Sequence, residues 1–164
     1  MRVGFPSTRG TAKWRYNGCH MADTGAIVDV LGGLKALRRR VARQEELRER
    51  VRAGLPYAAL AAVVARIRMD QEEITGVLHL TPRTLARRKA QGSLDPDESD
   101  RLVRFARVVA HATEVLGTLE KAALWLRRDN RGLGGNSPIE MLDTEIGSRA
   151  VEGVLLRLEH GVIS

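Results

Sequence analysis

The residues best suited to chemistry lie in LTPRTLARRKAQG, Leu80 to Gly92, which carries Arg83, Arg87, Arg88 and Lys89 beside the hydroxyls of Thr81 and Thr84. A guanidinium presents paired N–H donors that match O6 and N7 of guanine in a major groove, and any of these cations can meet a phosphate. Thr81 followed by Pro82 reads as the N-cap and first position of a helix, with Leu85 as its core anchor. Arg83, Thr84, Arg87, Arg88 and Lys89 are expected to stay outside. Upstream, Asp70 caps a short helix from Gln71 to Leu78, with Glu72 and Glu73 at its positive end, and His79-Leu80 is the turn between the two. Two short helices across a tight turn, the second rich in Arg, form a helix-turn-helix pattern. Thr81, Arg83, Thr84, Arg87, Arg88 and Lys89 are therefore the candidate DNA-binding residues.

Other chemistries find little support. The four histidines, at 20, 79, 111 and 160, are scattered and pair by spacing with no nucleophile or ligand set. Cys19 is the single cysteine, so the chain has neither an intramolecular disulfide nor a cysteine partner for a metal. The glycine-rich NRGLGGN, Asn130 to Asn136, lacks the G-K-[ST] ending of a phosphate-binding loop and a preceding strand. Asp95, Asp97, Glu98 and Asp100 fit a D-x-x-E capping box with Pro96 in the first helical position. No metal, no cofactor and no catalytic residue is expected.

These groups need helices to position them, and the composition favours helices. Of 164 residues 43% are apolar, yet only six are aromatic, which leaves an aliphatic core of Leu, Val, Ile and Ala. The expected fold is all-α: a helix-turn-helix region followed by a small helical domain. Helical spacing runs from Asp29 to Arg52 and again from Tyr57 to about Arg68. A long helix extends from Pro96 to about Leu116, and Thr118 opens another that carries Trp125 as a core anchor. Ser137-Pro138-Ile139-Glu140 is a second capping box opening a one-turn helix. Thr144 caps the last helix, with Ile146, Ala150, Val151, Val154, Leu155 and Leu158 as its buried stripe, and His160-Gly161 ends it.

Charge divides the chain. The net +7 comprises +4 in residues 1–20, +3 in 21–53, +3 in 54–94 and −3 in 95–164. A basic N-terminal portion points to a polyanion or an acidic partner there. Residues 1–20 are expected to be a disordered basic arm or sequence upstream of the true start at Met21. Residues 21–94 form the DNA-facing region and 95–164 a separate helical domain. The run Arg38-Arg39-Arg40 is expected to be a solvated face, with contact to DNA or a protein as the alternative. No apolar run reaches the roughly 20 residues that span a bilayer. With no secretory leader pattern and one cysteine, a cytoplasmic protein is expected.

GLPYAAL at 54–60, LTPRTLARRKAQGSLDPDESDRLVRFARV at 80–108 and KAALWLRRDNRGLGGNSPIEMLDTEIGSRAVEGVLLRLEHGV at 121–162 resemble the Xre/MbcA/ParS antitoxins. The motifs R-T-L-x-R-R, E-S-D-R-L, W-L, L-G-G-x-[ST]-P and G-x-x-x-V-E carry the likeness, which covers roughly Gly25 to the end. RRDN departs from it, since the family more often has a proline before the Asn. The resemblance implies a helix-turn-helix region ahead of a C-terminal toxin-binding domain. The implied partner is a RES-domain toxin that degrades NAD, inhibited by direct binding at its active site. It also implies a homodimer within a larger toxin–antitoxin complex and repression of the operon through operator DNA. The alternative is a stand-alone helix-turn-helix regulator whose C-terminal domain only dimerises. Under the first reading, His160, Gly161, Val162, Ile163 and Ser164 are expected to plug the toxin's active-site entrance, the terminal carboxylate meeting groups meant for NAD phosphates. Asn130, Arg131, Leu133, Gly134 and Gly135 would brace the same surface, and Glu152 and Arg157 would add rim contacts from the outer face of the last helix.

Overall fold

The structure, a computed structural model, describes residues 23–161. The basic arm 1–20 and the terminal Val162-Ile163-Ser164 lie outside the described residues. Capping chemistry sets most helix boundaries. Along the chain come α1 (Thr24–Val30), α2 (Gly33–Leu37), α3 (Gln44–Ala53), α4 (Tyr57–Ile67), α5 (Gln71–Leu78), α6 (Pro82–Gln91), α7 (Pro96–Leu116), α8 (Leu119–Leu126) and α9 (Glu145–Glu159). Two 3-10 helices, Arg131–Leu133 and Ile139–Asp143, fill the α8–α9 connection. Among the described residues no strand forms, and only an isolated bridge joins Pro56 to Ser93. The fold is all-α, as composition and spacing indicate.

The asparagine-free caps read from sequence hold well. The Asp70 carboxylate accepts from Glu73 N at 2.9 Å, while Glu73 Oε2 accepts from Asp70 N at 3.1 Å, a reciprocal capping box. Thr81, Thr118 and Thr144 accept from Thr84 N, Lys121 N and Gly147 N. The Ser137 box is different. Ser137 donates both its amide and its hydroxyl to Glu140 Oε2, at 3.0 and 2.7 Å, and the turn that follows is 3-10. The Ser137 hydroxyl and amide hold the Glu140 carboxyl below its ordinary range.

Helical spacing between Asp29 and Arg52 does not yield one helix. Gly32, at φ 90°, ends α1, and a Cβ there would lie 2.6 Å from Ala62 Cβ and 2.7 Å from Ala36 Cβ. Only a glycine both adopts that φ and lets the chain close on α4. A second break follows at Arg38, φ 56°, before α3 begins. Folding the segment back buries Leu31, Leu37, Val41 and Leu47 on one core, which a straight helix could not do.

α7 is the spine, packed against α1, α3, α5, α8 and α9. Its Leu102, Phe105, Ala106, Val108, Val109 and Ala112 are buried, within one core that runs from Ile27 to Leu155. Each fully buried Leu or Phe side chain contributes roughly 2 kcal/mol of transfer free energy. The core is continuous across the charge seam at residues 94–95. Trp125 is half-buried against it, while Ala122 and Leu126 supply the sealed face of α8.

The buried stripe of α9 is turned from the expected one. Ile146 is 84% exposed, and Ala150 and Leu158 are exposed as well. The sealed positions are Gly147, Ser148, Val151, Val154 and Leu155. Gly147 lets the helix approach the 139–143 turn closely, and that approach sets the register against hydropathy alone.

Candidate functional site

The helix-turn-helix is held at its turn by backbone geometry. His79 takes φ 50°, ψ 47°, with His79 N donating to Gly76 O and Leu80 N to Thr75 O, the paired bonds of a Schellman close. A left-handed histidine is costly for an L residue, so something must fix it. His79 Nε2 donates to the Asp143 carbonyl at 2.7 Å, and Arg101 Nη1 donates to Leu78 O at 3.0 Å. Both anchors come from outside the motif. Leu80 and Leu85 pack partly buried against the core.

α6 leaves this turn with Arg83, Arg87 and Lys89 exposed. Positions 83, 86, 87 and 90 follow the i, i+3, i+4, i+7 rule and form one outward strip with no acid on the helix. Thr81 is exposed but occupied as the cap, and half-buried Thr84 shares a hydroxyl–hydroxyl bond with it at 3.0 Å. Arg88 corrects the sequence reading: it is 8% exposed, not outside. Its Nε donates to Glu98 Oε1 at 2.9 Å, Nη1 donates to Gln91 Oε1 at 3.0 Å, and Nη2 pairs with Asp95. The same Glu98 completes the α7 capping box by accepting from Asp95 N at 2.8 Å. Next to it Ser99 Oγ donates to Asp95 O and accepts from Leu55 N, both at 2.8 Å. The acid cluster is thus a cap, and also the receptacle that joins α6 to the spine.

The arginines sort into two groups. Arg88, Arg101, Arg104, Arg107, Arg127 and Arg149 are each engaged by a carboxylate or carbonyl. Arg83 and Arg87 have no such partner among the described residues, a group that also includes Arg39, Arg128, Arg131 and Arg157. What sets the α6 pair apart is that they share one exposed strip of a helix without acids. Arg127, which sequence reasoning passed over, grips Glu73 at 2.7 and 2.8 Å and also donates to Ile67 O, Arg68 O and Ala123 O. It ties the end of α8 to the start of α5. That tie and His79 flank a cleft of about 640 Å³ walled by α5 and residues 137–143. Its one legible signal was the arginine run Arg127-Arg128 at a helix end.

The C-terminal candidates divide similarly. Asn130 organises its loop: its carbonyl accepts from Leu133 N and Gly135 N, and its side chain accepts from Gly132 N at 2.8 Å. Arg131, Gly134 and Gly135 are exposed, but Leu133 is buried at 6% and anchors the loop from beneath, so it is not a surface contact. Glu152 is corrected too. It does not stand free on the outer face but accepts from Arg107 Nε at 2.7 Å, and both side chains are 23% exposed. Arg157, His160 and Gly161 are exposed. A Cβ on Gly132 would lie 3.4 Å from Arg157 Nη2, so the loop and the end of α9 share one surface. Val162, Ile163 and Ser164 lie outside the described residues.

Comparison with known proteins gives two family matches that meet inside α7. The Antitoxin Xre-like helix-turn-helix domain matches residues 46–107, and the Antitoxin Xre/MbcA/ParS C-terminal toxin-binding domain matches residues 111–161. A protein of Photorhabdus laumondii subsp. laumondii named Antitoxin Xre is 36% identical over 113 residues, 68% of this chain and 76% of the relative. Another Antitoxin Xre, from Yersinia enterocolitica, is 33% identical over 161 residues, 97% of this chain and 95% of the relative. A protein of Sphingobium named Prs ADP-ribosylating antitoxin is 25% identical over 124 residues, 70% of this chain and 78% of the relative.

Proposed function

Because the chain belongs to the Xre/MbcA/ParS antitoxin family, with its helix-turn-helix and toxin-binding domains, we propose that it inhibits a cognate RES-domain toxin by blocking the toxin's active site. The toxin's reaction is the degradation of NAD, and inhibition is by binding alone, without catalysis by this chain. The same protein represses its own operon in the cytoplasm, as a homodimer within a larger toxin–antitoxin complex. The observation that carries the DNA half is the unpartnered strip of Arg83 and Arg87 on a helix whose third arginine, Arg88, is engaged inward. Lys89 adds phosphate contact, and Thr81 and Thr84 position the helix start.

Arg83→Ala and Arg87→Ala should each weaken operator binding by roughly 1–3 kcal/mol if they meet base edges, while toxin neutralisation survives. Gel shifts with both single variants check this. Unchanged operator affinity in both would remove α6 as the reading helix.

For the toxin half, the exposed edge of Arg131, Gly134 and Gly135, the neighbouring Arg157, and His160 and Gly161 form the docking surface, continued by Val162, Ile163 and Ser164. Asn130 and Leu133 shape it from within, and Glu152 supports α9 through Arg107. Truncation after Glu159 should keep helicity and operator binding but lose most growth rescue against the co-expressed toxin. Full rescue by the shortened chain would leave only a side-on interface. A chain that binds operator yet never captures the toxin would instead be a stand-alone regulator.

A further inference from the structure

Five cations, Lys35, Arg38, Arg39, Arg40 and Arg43, lie in a stretch with no acid between Val30 and Gln44. All five are exposed, and none makes a side-chain hydrogen bond or ion pair among the described residues. The stretch is nevertheless well anchored. Leu37 is 0% and Val41 6% exposed, so the chain is pinned on both sides of Arg38-Arg39-Arg40. Arg50 Nη2 donates to Leu37 O at 2.9 Å, and Glu46 Oε2 accepts from Ala42 N at 2.8 Å. Arg38 itself adopts φ 56°, ψ 11°, a left-handed turn that Gly or Asn would take more easily. The result is a backbone arch pinned at both ends, with three consecutive exposed arginines between the pins.

A solvated charge run needs none of this. The acids that could neutralise the arch belong to α3: Glu45, Glu46 and Glu49. Glu46 serves mainly as acceptor for the Ala42 amide, which lowers its carboxyl more than Arg43 or Arg39 does. No side-chain hydrogen bond or ion pair among the described residues ties up these guanidiniums, and the planar fork of an arginine suits a two-point grip on a phosphate better than a lysine ammonium does.

We propose that the 38–40 arch, with Arg43, is a second DNA contact that binds backbone phosphates and reads no sequence. It rests on the preceding reading only in taking duplex DNA as the polyanion. The occupant follows from charge: five cations with no acid between Val30 and Gln44 complement a polyanion, and the toxin surface proposed above lies in another part of the chain, at residues 131–161.

The test measures the full chain's affinity for operator and for scrambled duplex across 50–200 mM salt. Three proteins are compared with wild type: the triple Arg38→Gln/Arg39→Gln/Arg40→Gln, the same triple to Lys, and Arg83→Ala/Arg87→Ala. The Gln triple should lower the salt slope by roughly 2–3 on both duplexes, a change of about 40-fold over that range for three phosphates. The Lys triple should keep the slope, which guards against a folding artefact. The α6 variant should lose operator preference. An unchanged slope in the Gln triple beside a weakened α6 variant overturns the arch and leaves the α6 reading standing. The reverse pattern keeps the arch and overturns α6 as the reader, and no DNA binding by wild type overturns both. Loss of toxin capture in the Gln triple, with DNA binding intact, assigns the arch to the protein interface and overturns the proposal.

Discussion

Arg88→Ala is expected to destabilise the protein by about 3–5 kcal/mol, because it strands the Glu98 carboxylate inside the joint between α6 and α7. The Glu98 side chain is 7% exposed, and its other bond, to Asp95 N, cannot disperse a full charge. Asp95, 58% exposed on its side chain, is rehydrated easily and adds little to the loss. A chain of this size should melt roughly 6–20 °C lower for that range. The double variant Arg88→Met/Glu98→Leu should recover most of the loss, since two apolar side chains remove the need for a partner. Arg83→Ala and Arg87→Ala, on exposed positions of the same helix, should leave the melting temperature within a degree or two. If Arg88→Ala melts like wild type but loses operator affinity, the residue belongs on the DNA surface.

Gly147→Ala should cost about 3 kcal/mol by forcing apart two packed elements. A Cβ at 147 would lie 1.9 Å from the Met141 carbonyl oxygen and 2.9 Å from its carbon, both backbone atoms that cannot rotate away. The 139–143 turn must then withdraw from α9, and with it goes the Thr144 hydroxyl that caps Gly147 N at 3.1 Å. His79 leans on the carbonyl of Asp143 in that turn, so the helix-turn-helix should loosen as well. Gly153→Ala is the control. Its Cβ would meet only Arg157 Nη1, at 4.0 Å, and helix propensity predicts a gain of about 0.5–1 kcal/mol. Thermal melts of the two variants should therefore move in opposite directions, and a common direction would contradict the close-approach account.

The helix boundaries were legible because caps are local: Asp70, Thr81, Asp95 and Thr144 each satisfy amides within four residues. What spacing could not reveal is how a side chain is used across the fold. Arg83, Arg87 and Arg88 look alike in sequence, yet Arg88 sits 140° around the helix from Arg83 by the 100° step of an α-helix and meets Glu98 ten residues on. The motifs that suggested the family turn out to be largely architectural. In E-S-D-R-L, Glu98 receives Arg88, Ser99 receives Leu55 N, Arg101 caps α5 and Leu102 is buried. In G-x-x-x-V-E, Gly147 permits the approach, Val151 is sealed and Glu152 holds Arg107. The break at Gly32 and the turned stripe of α9 escaped for the same reason, being decided by Ala62 and by the Met141 carbonyl rather than by hydropathy.

The central claim is that one frame carries two separable surfaces, for toxin and for DNA. It is tested most directly by measuring cellular NAD in cells expressing the cognate toxin with either wild-type protein or Arg83→Ala/Arg87→Ala. NAD is expected to stay at the toxin-free level with both, with the toxin co-purifying in each case, although the double variant has lost its preference for operator over scrambled duplex. NAD falling with the double variant as far as with toxin alone, while the wild-type protein protects, would contradict it.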